Sequence, residues 1–443
     1  MSARAPSLFR ARLWHIVGLL ALGVMGFVVY DLQLQFTNAY MGYLAIDLDG
    51  RFIASLLAFC IGMGFLIPPR ITKPSEIFLV LYGTFVVLSY VVFYDGASEV
   101  SFGGFCYRLL LTFLPFLVIR MAALARWRLT IPFDLRRETM TAIVVGIAFS
   151  GVAVALYSSG SSGGFSIADA YDRRMIGRDV FQAGSLVAYL NVMTMNGVNP
   201  FLAFLAGLLN RKLLLAISLG FAAVFFYSIG VKAPTAFAAL AFLIGVGVRT
   251  GNLSILFNMI LLATVLLFVG FVVEYSMNGY SEIAEYFFRR VYIIPGFDVQ
   301  RYMELIFDRG ASLWSPVSGI QSDLGVTYLV GATFFGSDQA NVNTNAFTYA
   351  LAAGGYVGYA AIVLGVAAFF KLLDALFEGS GNVAYLYIGF LYAILLAEQA
   401  ATTAFVSSGV GLLFFLVVLS GRGWHSEAVV VPRRSPRTKP VQV

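Results

Sequence analysis

Uninterrupted apolar runs of about 20 residues recur along most of this chain, and they restrict its fold more than any other feature. Residues 252–273, NLSILFNMILLATVLLFVGFVV, are typical, with no charge and no alternation of polar and apolar positions. A run of that length crosses the hydrocarbon core of a bilayer as a helix. Backbone amides in lipid must find partners within the protein, which leaves helices or closed barrels. Barrel strands alternate; these runs do not, so helices are expected. Composition closes off the soluble alternative. Of 443 residues, 60% are hydrophobic and only 12% charged, against about a quarter charged in soluble domains, and the mean hydropathy is +0.85. The expected fold class is an all-α polytopic integral membrane protein, a single transmembrane domain over residues 1–443.

Twelve spans are predicted, at 13–30, 52–67, 77–94, 104–124, 139–157, 182–208, 213–230, 234–248, 252–273, 345–370, 382–398 and 402–420, with Pro200 placed to kink the sixth. The N-terminus resembles a signal peptide but lacks a small-x-small cleavage site, and reads as a retained first helix. With that end in the cytoplasm, most of the 29 Lys and Arg fall inside and most of the 23 Asp and Glu outside, as the positive-inside rule requires. Both termini are then cytoplasmic, and 421–443 is a basic tail expected to be disordered. The pI near 9.2 thus reflects topology, and nucleic acid is not an expected partner. Cys60 and Cys106 lie in or beside apolar runs, so no disulfide framework is expected.

Two outer segments exceed a simple turn. Residues 158–181 open with a Ser/Gly run and continue as IADAYDRRMIGRD; residues 274–344 are the one candidate for an extramembranous subdomain. Loops of this length are usually functional or disordered. The stretch EIAEYFFRRVYIIPGFDVQRYMELIFDRG predicts two amphipathic helices, broken at Pro295-Gly296 and packed on the outer face of the membrane. No internal repeat of the kind found in many transporters is visible.

These loops hold cations that the topology rule would place elsewhere, Arg173, Arg174, Arg178, Arg289, Arg290, Arg301 and Arg309, with Lys232 at the mouth of the eighth span and Arg51 and Arg108 besides. Guanidinium forks match phosphate oxygens, and lysine acts as a point charge, so such a cluster suits a di-anionic lipid headgroup. The bland alternative is pairing with nearby Asp169, Asp172, Asp179, Glu282, Glu285, Asp298, Glu304 and Asp308; Lys232 has no such neighbour in sequence and could instead snorkel. Asn341, Asn343 and Asn345 alternate before the tenth span. On an extended strand they would face one way and could bind sugar hydroxyls, or Asn343 or Thr344 could cap the helix. Gly354, Gly355 and Gly358 suggest close helix packing. The only histidines, His15 and His425, fall at the cytoplasmic side, which disfavours a Ser-His-Asp hydrolase or zinc protease on the outer face. No P-loop, Rossmann fingerprint or HExxH is present.

Four segments in order, AYDRR (170–174), SIGVKAPTAF (228–237), RRVYIIPGFDVQRYMELIF (289–307) and NVNTNAFTYALAAGGYVG (341–358), resemble the Wzy-type polysaccharide repeat-unit (O-antigen) polymerases of bacterial inner membranes. The resemblance covers roughly 165–360; the flanking spans match in hydropathy alone. It implies a GT-C-like fold with a large periplasmic loop, and a glycosyltransferase that joins undecaprenyl-pyrophosphate-linked oligosaccharides into O-antigen, capsule or exopolysaccharide. It further implies a flippase and a chain-length regulator as partners. O-antigen ligases share the architecture but are expected to carry a histidine in the large loop, which this chain lacks. Charge stabilisation of the leaving pyrophosphate would fall to Arg173, Lys232 and Arg289, with Arg174, Arg178, Arg290, Tyr292, Arg301, Asn341, Asn343 and Asn345 binding substrate and Glu304 or Asp338 as general base. No metal or other cofactor is expected. The alternatives are an atypical ligase, a transporter or flippase for a lipid-linked or anionic solute, and a structural subunit of a secretion complex.

Overall fold

In the computed structural model, residues 8–96, 100–133, 135–159, 163–166, 169–180, 184–253, 255–308, 310, 312–314, 324–421 and 423–424 are described. Arg309, His425 and nearly all of the predicted tail lie outside the described residues. Every regular element among them is helical. Eight helices are long and apolar enough to cross a membrane: Leu8–Thr37, Pro74–Phe93, Phe102–Leu124, Arg137–Tyr157, Leu186–Leu209, Lys212–Ile229, Ile255–Asn278 and Ala346–Ser380. The chain is an all-α polytopic membrane protein. The other four predicted spans also fall on helices, but shorter ones: Gly50–Leu66, Ala233–Arg249, Ala384–Leu396 and Val410–Leu419. A further apolar helix, Val326–Phe335, occupies part of the predicted outer loop.

The chain divides into two compact units. The first comprises Met1–Arg126, Ser254–Leu373 and Gly389–Phe405. Its helices start where the sequence supplies caps. Asp49 accepts the Phe52 N–H at 2.7 Å to open Gly50–Leu66, and Glu76 reaches back to the Thr72 N–H at 2.6 Å ahead of Pro74–Phe93. Pro74–Phe93 is almost wholly buried, and what covers it includes the segment expected on the membrane surface. The expectation of two helices is corrected. Residues 284–308 form one continuous rod, π-helical over Ala284–Ile293 and α-helical over Ile294–Asp308, with every residue from Gly296 to Ile306 buried. The break expected at Pro295 is absorbed by the wide π turns before it, since proline lacks an N–H and its ring crowds the carbonyl four residues earlier. Ser89 completes the repair. Its hydroxyl takes the Gly296 N–H at 2.7 Å and donates to the Tyr292 carbonyl, standing inside the helical ladder. A Cβ at Gly296 would lie 2.4 Å from the Ser89 backbone carbon, so glycine is required there.

In the same unit Ala346–Ser380 is interrupted at Gly355 (φ 60°, ψ −162°). Tyr356 and Val357 donate their N–H groups to the carbonyls of Ser312 and Leu313 at 3.3 and 3.1 Å. A Cβ at Gly355 would meet the Ser312 oxygen at 2.4 Å. Close packing of two helices, the sequence-based reading of this glycine, gives way to a chain segment crossing a break.

The second unit comprises Trp127–Leu253, Asp374–Ile388 and Val406–Val443. Its tightest crossing is glycine on backbone. A Cβ at Gly207 would lie 2.3 Å from the Phe242 carbonyl oxygen, and one at Gly245 would lie 2.2 Å from that of Phe204. Such crossings let helices approach closely in the absence of a hydrophobic drive between them. Pro200 is again preceded by a π turn, Thr194–Val198, and the Tyr387 hydroxyl donates to the Gly197 carbonyl at 3.0 Å within it. The kink predicted at Pro200 is expressed as that turn. The first long loop contains a helix, Ala170–Val180, whose first carbonyl sits where a Cβ on Gly230 (φ 67°) would be.

Candidate functional site

The densest polar cluster lies in the first unit, where the end of Leu8–Thr37 and the loop after it meet the rod. Helical spacing puts Glu285 and Arg289 one turn apart, and they pair at 3.1 Å. Arg289 also donates to Asn38 Oδ1 at 2.7 Å. Asn38 in turn donates to both Glu285 oxygens at 3.0 and 3.2 Å, and Thr37 to one of them at 2.6 Å. The loop closes a triangle in which each ion is satisfied. Nearby, the Gln33 side-chain amide exchanges two bonds with the Ser281 backbone, at 3.0 and 2.8 Å, tying the first helix to the start of the rod.

About three turns further on, Arg301 donates to Glu304 Oε2 at 2.9 Å and to the Gly42 carbonyl at 2.7 Å. Its guanidinium lies between the rings of Phe297 and Phe334, 4.9 and 5.0 Å from their centres. Gly42 has φ 78°, and a Cβ there would lie 2.6 Å from the guanidinium, so both backbone and space demand glycine. Burial raises the Glu304 carboxyl above the ordinary range, against the opposing pull of Arg301. Burial also holds Asp298 well above its ordinary value, with Arg290 and then Arg301 acting against it. For Arg289 and Arg301, the bland expectation of pairing with local carboxylates is the observed state.

The remaining candidates are distributed as follows. Arg290 is exposed, within electrostatic reach of Asp298 and Glu398. Tyr292 is buried among Phe85, Phe287 and Phe288, its hydroxyl 2.6 Å from that of Thr264. It packs the core, where a substrate contact was expected. Asn345 is buried as well. Its Oδ1 accepts the N–H of Phe347 and Thr348 at 3.1 and 3.0 Å, so it, not Asn343 or Thr344, caps the helix. Asn341 and Asn343 stay exposed, as does Asp338. The three amides therefore do not act as one row.

In the second unit Arg173 is 5% exposed. It donates to the Ser166 carbonyl at 2.7 Å and lies over the Phe226 ring, 5.5 Å from its centre. It fastens the first long loop to Lys212–Ile229. Arg174 and Lys232 are exposed; Lys232 stands at the N-terminus of Ala233–Arg249. The side chain of Arg178 lies outside those described. Asn38, Gly42 and Ser89 were not singled out in the sequence, because their partners stand more than 200 positions away.

An open groove of about 210 Å³ also lies in the first unit, lined by Ala350, Ala353, Gly354, Gly358 and Ala401 among others. None of the candidate residues faces it. Among the described residues no group of three His, Cys, Asp or Glu could hold a metal. No family model, curated protein or solved structure matches the chain.

Proposed function

We propose that the chain is a membrane glycosyltransferase that polymerises oligosaccharide repeat units carried on a polyprenyl pyrophosphate, acting on the outer face of a bacterial inner membrane. The observation that carries this reading is the buried Arg301–Glu304 pair on a rod packed among apolar helices. Ionisable residues inside a membrane protein are expensive, and by default mark a functional site.

In this reading an acceptor sugar hydroxyl attacks the anomeric carbon of the lipid-linked donor. The new C–O bond forms as the bond to pyrophosphate breaks, and the electron pair leaves with the phosphate oxygen. Glu304 takes the hydroxyl proton. Its raised pKa keeps the base form for higher pH than an ordinary glutamate needs, so activity should fall early on acidification. Exposed Arg290, in the same unit as Glu304, is the candidate to stabilise the leaving pyrophosphate. The pairing of Arg289 and Arg301 makes them organisers of the site in this scheme. Twelve spans with both termini cytoplasmic, a GT-C-like arrangement, and a flippase and a chain-length regulator as partners belong to the same proposal.

Reconstitution with a lipid-linked repeat unit and no nucleotide tests it: dimers and longer chains are expected. Glu304→Gln should lower the rate by about 10²–10⁴-fold, with protein level unchanged. A wild-type protein that leaves the repeat unit unextended, or a fully active Glu304→Gln, rejects the scheme. The buried Asp298 favours a second reading, a transporter or flippase for an anionic or lipid-linked solute; the same vesicles would then show movement of substrate without polymer.

A further inference from the structure

The C-terminal half of the rod leaves polar atoms unused. Glu304 gives only Oε2 to Arg301, and its buried Oε1 accepts no hydrogen bond. Arg301 uses both terminal nitrogens, while its buried Nε donates to nothing. Arg108, on Phe102–Leu124, lies 5.5 Å from the centre of the Phe307 ring with Nη1 buried and without a partner. Its charge acts on Glu304. Leaving a buried polar atom unpaired is costly, and three such atoms in one neighbourhood are open to a hydrogen-bonding ligand.

The rim of this cluster is aromatic. Tyr107 packs against Phe307 at 5.5 Å between ring centres, shares a 2.7 Å hydrogen bond with the Tyr356 hydroxyl, and remains 43% exposed. Asp308, one turn beyond Glu304, is exposed. The charges of Arg108 and Arg301 cancel those of Glu304 and Asp308. A phosphate would need a positive surplus, which is missing. A hydroxyl both donates and accepts, so the hydroxyls of one ligand match a free carboxylate oxygen and a free guanidinium N–H within electrostatic reach of each other. An aromatic wall with few polar groups is the usual build of a small-molecule site, and it suits the C–H face of a sugar ring.

We infer that Tyr107, Arg108, Glu304 and Phe307 form a carbohydrate subsite, in which a sugar diol donates to Glu304 Oε1, accepts from Arg108 and lies on Tyr107. Its assignment to the acceptor sugar rests on the glycosyltransferase reading; the subsite itself does not. The ligand class is a neutral pyranose.

Saturation-transfer NMR on the full-length purified protein in detergent tests this, with methyl glycosides of glucose, galactose, N-acetylglucosamine and rhamnose as probes at millimolar concentration. Ring protons of at least one probe should receive saturation from the wild type. Tyr107→Ala and Arg108→Met should each lose about tenfold or more in affinity, equal to about 1.4 kcal/mol. Tyr107→Phe, which keeps the ring, should retain binding, as should Tyr157→Ala, which removes an exposed aromatic elsewhere. Melting curves establish that each variant is folded. If no probe is saturated, or if Tyr107→Ala and Arg108→Met bind like Tyr157→Ala, the subsite is refuted. Glycoside binding that depends on Tyr107 in a protein that makes no polymer upholds the subsite and removes the polymerase reading. Polymer from a protein whose glycoside binding ignores these side chains does the reverse.

Discussion

The two units solve one problem with different chemistry. Helices surrounded by lipid gain little from burying apolar surface against one another, so contact must come from close approach or from polar bonds. The second unit relies on close approach, Gly207 and Gly245 each lying against a backbone carbonyl. The first threads a polar rod through its interior and ties it down with Ser89, Asn38 and Gly42. Both absorb a proline with a π turn. The lesson is that one membrane fold can draw its helix contacts from buried hydrogen bonds in one region and from small residues in another.

That contrast can be broken, beginning with its largest consequence. Gly207→Val or Gly245→Val drives a branched side chain into backbone and should cost on the order of 3 kcal/mol or more. Fluorescence-detected gel filtration should show loss of the monodisperse peak, and a normal peak would end the glycine argument. Ser89→Ala leaves the Gly296 N–H and Tyr292 carbonyl without a shared partner, at about 1–3 kcal/mol each. A markedly lower melting temperature in detergent is expected; an unchanged one would mean the rod does not need the hydroxyl. Asn345→Ala removes a cap worth about 1 kcal/mol, and should lower the melting temperature by less than Ser89→Ala does.

The smallest effect concerns Asp298 and has an unusual sign. Burial raises its carboxyl, more than Arg290 and Arg301 lower it, so the folded chain holds a proton that the unfolded chain releases near pH 3.9, roughly the free Asp value. Its stabilising share is complete below that pH and is lost as pH rises toward the folded pKa. Asp298→Asn should therefore melt like the wild type at acid pH and above it at neutral pH. A variant less stable at neutral pH would show that the charged form is the one the fold prefers.

Much of this architecture was readable in advance because lipid imposes a simple rule of length and apolarity. All twelve predicted spans fall on helices, for continuous runs such as 252–273 leave little choice. The rod reads as two helices in the sequence because Pro295 signals a break, and its amphipathic spacing gives no sign that Gly296–Ile306 are all buried. Only the remote Ser89 shows how the proline is accommodated. Asn345 was grouped with Asn341 and Asn343 by alternation, but the start of a helix lies between them. The ion pairs of Arg289 and Arg301 were among the stated alternatives, since helical spacing brings Glu285 and Glu304 within one turn. Asn38 and Gly42 carry no local sign of their role. Their meaning resides in chain folded back from some 250 positions away.

Gly355 has a mechanical corollary. Unbroken, the 35 residues of Ala346–Ser380 would make a shaft of about 52 Å in a hydrocarbon slab of about 30 Å. Divided there, the stretch 356–380 still measures about 38 Å, while 346–354 is a stub of about 14 Å. The glycine thus parts a short leading stub from a shaft that is by itself long enough to cross the slab.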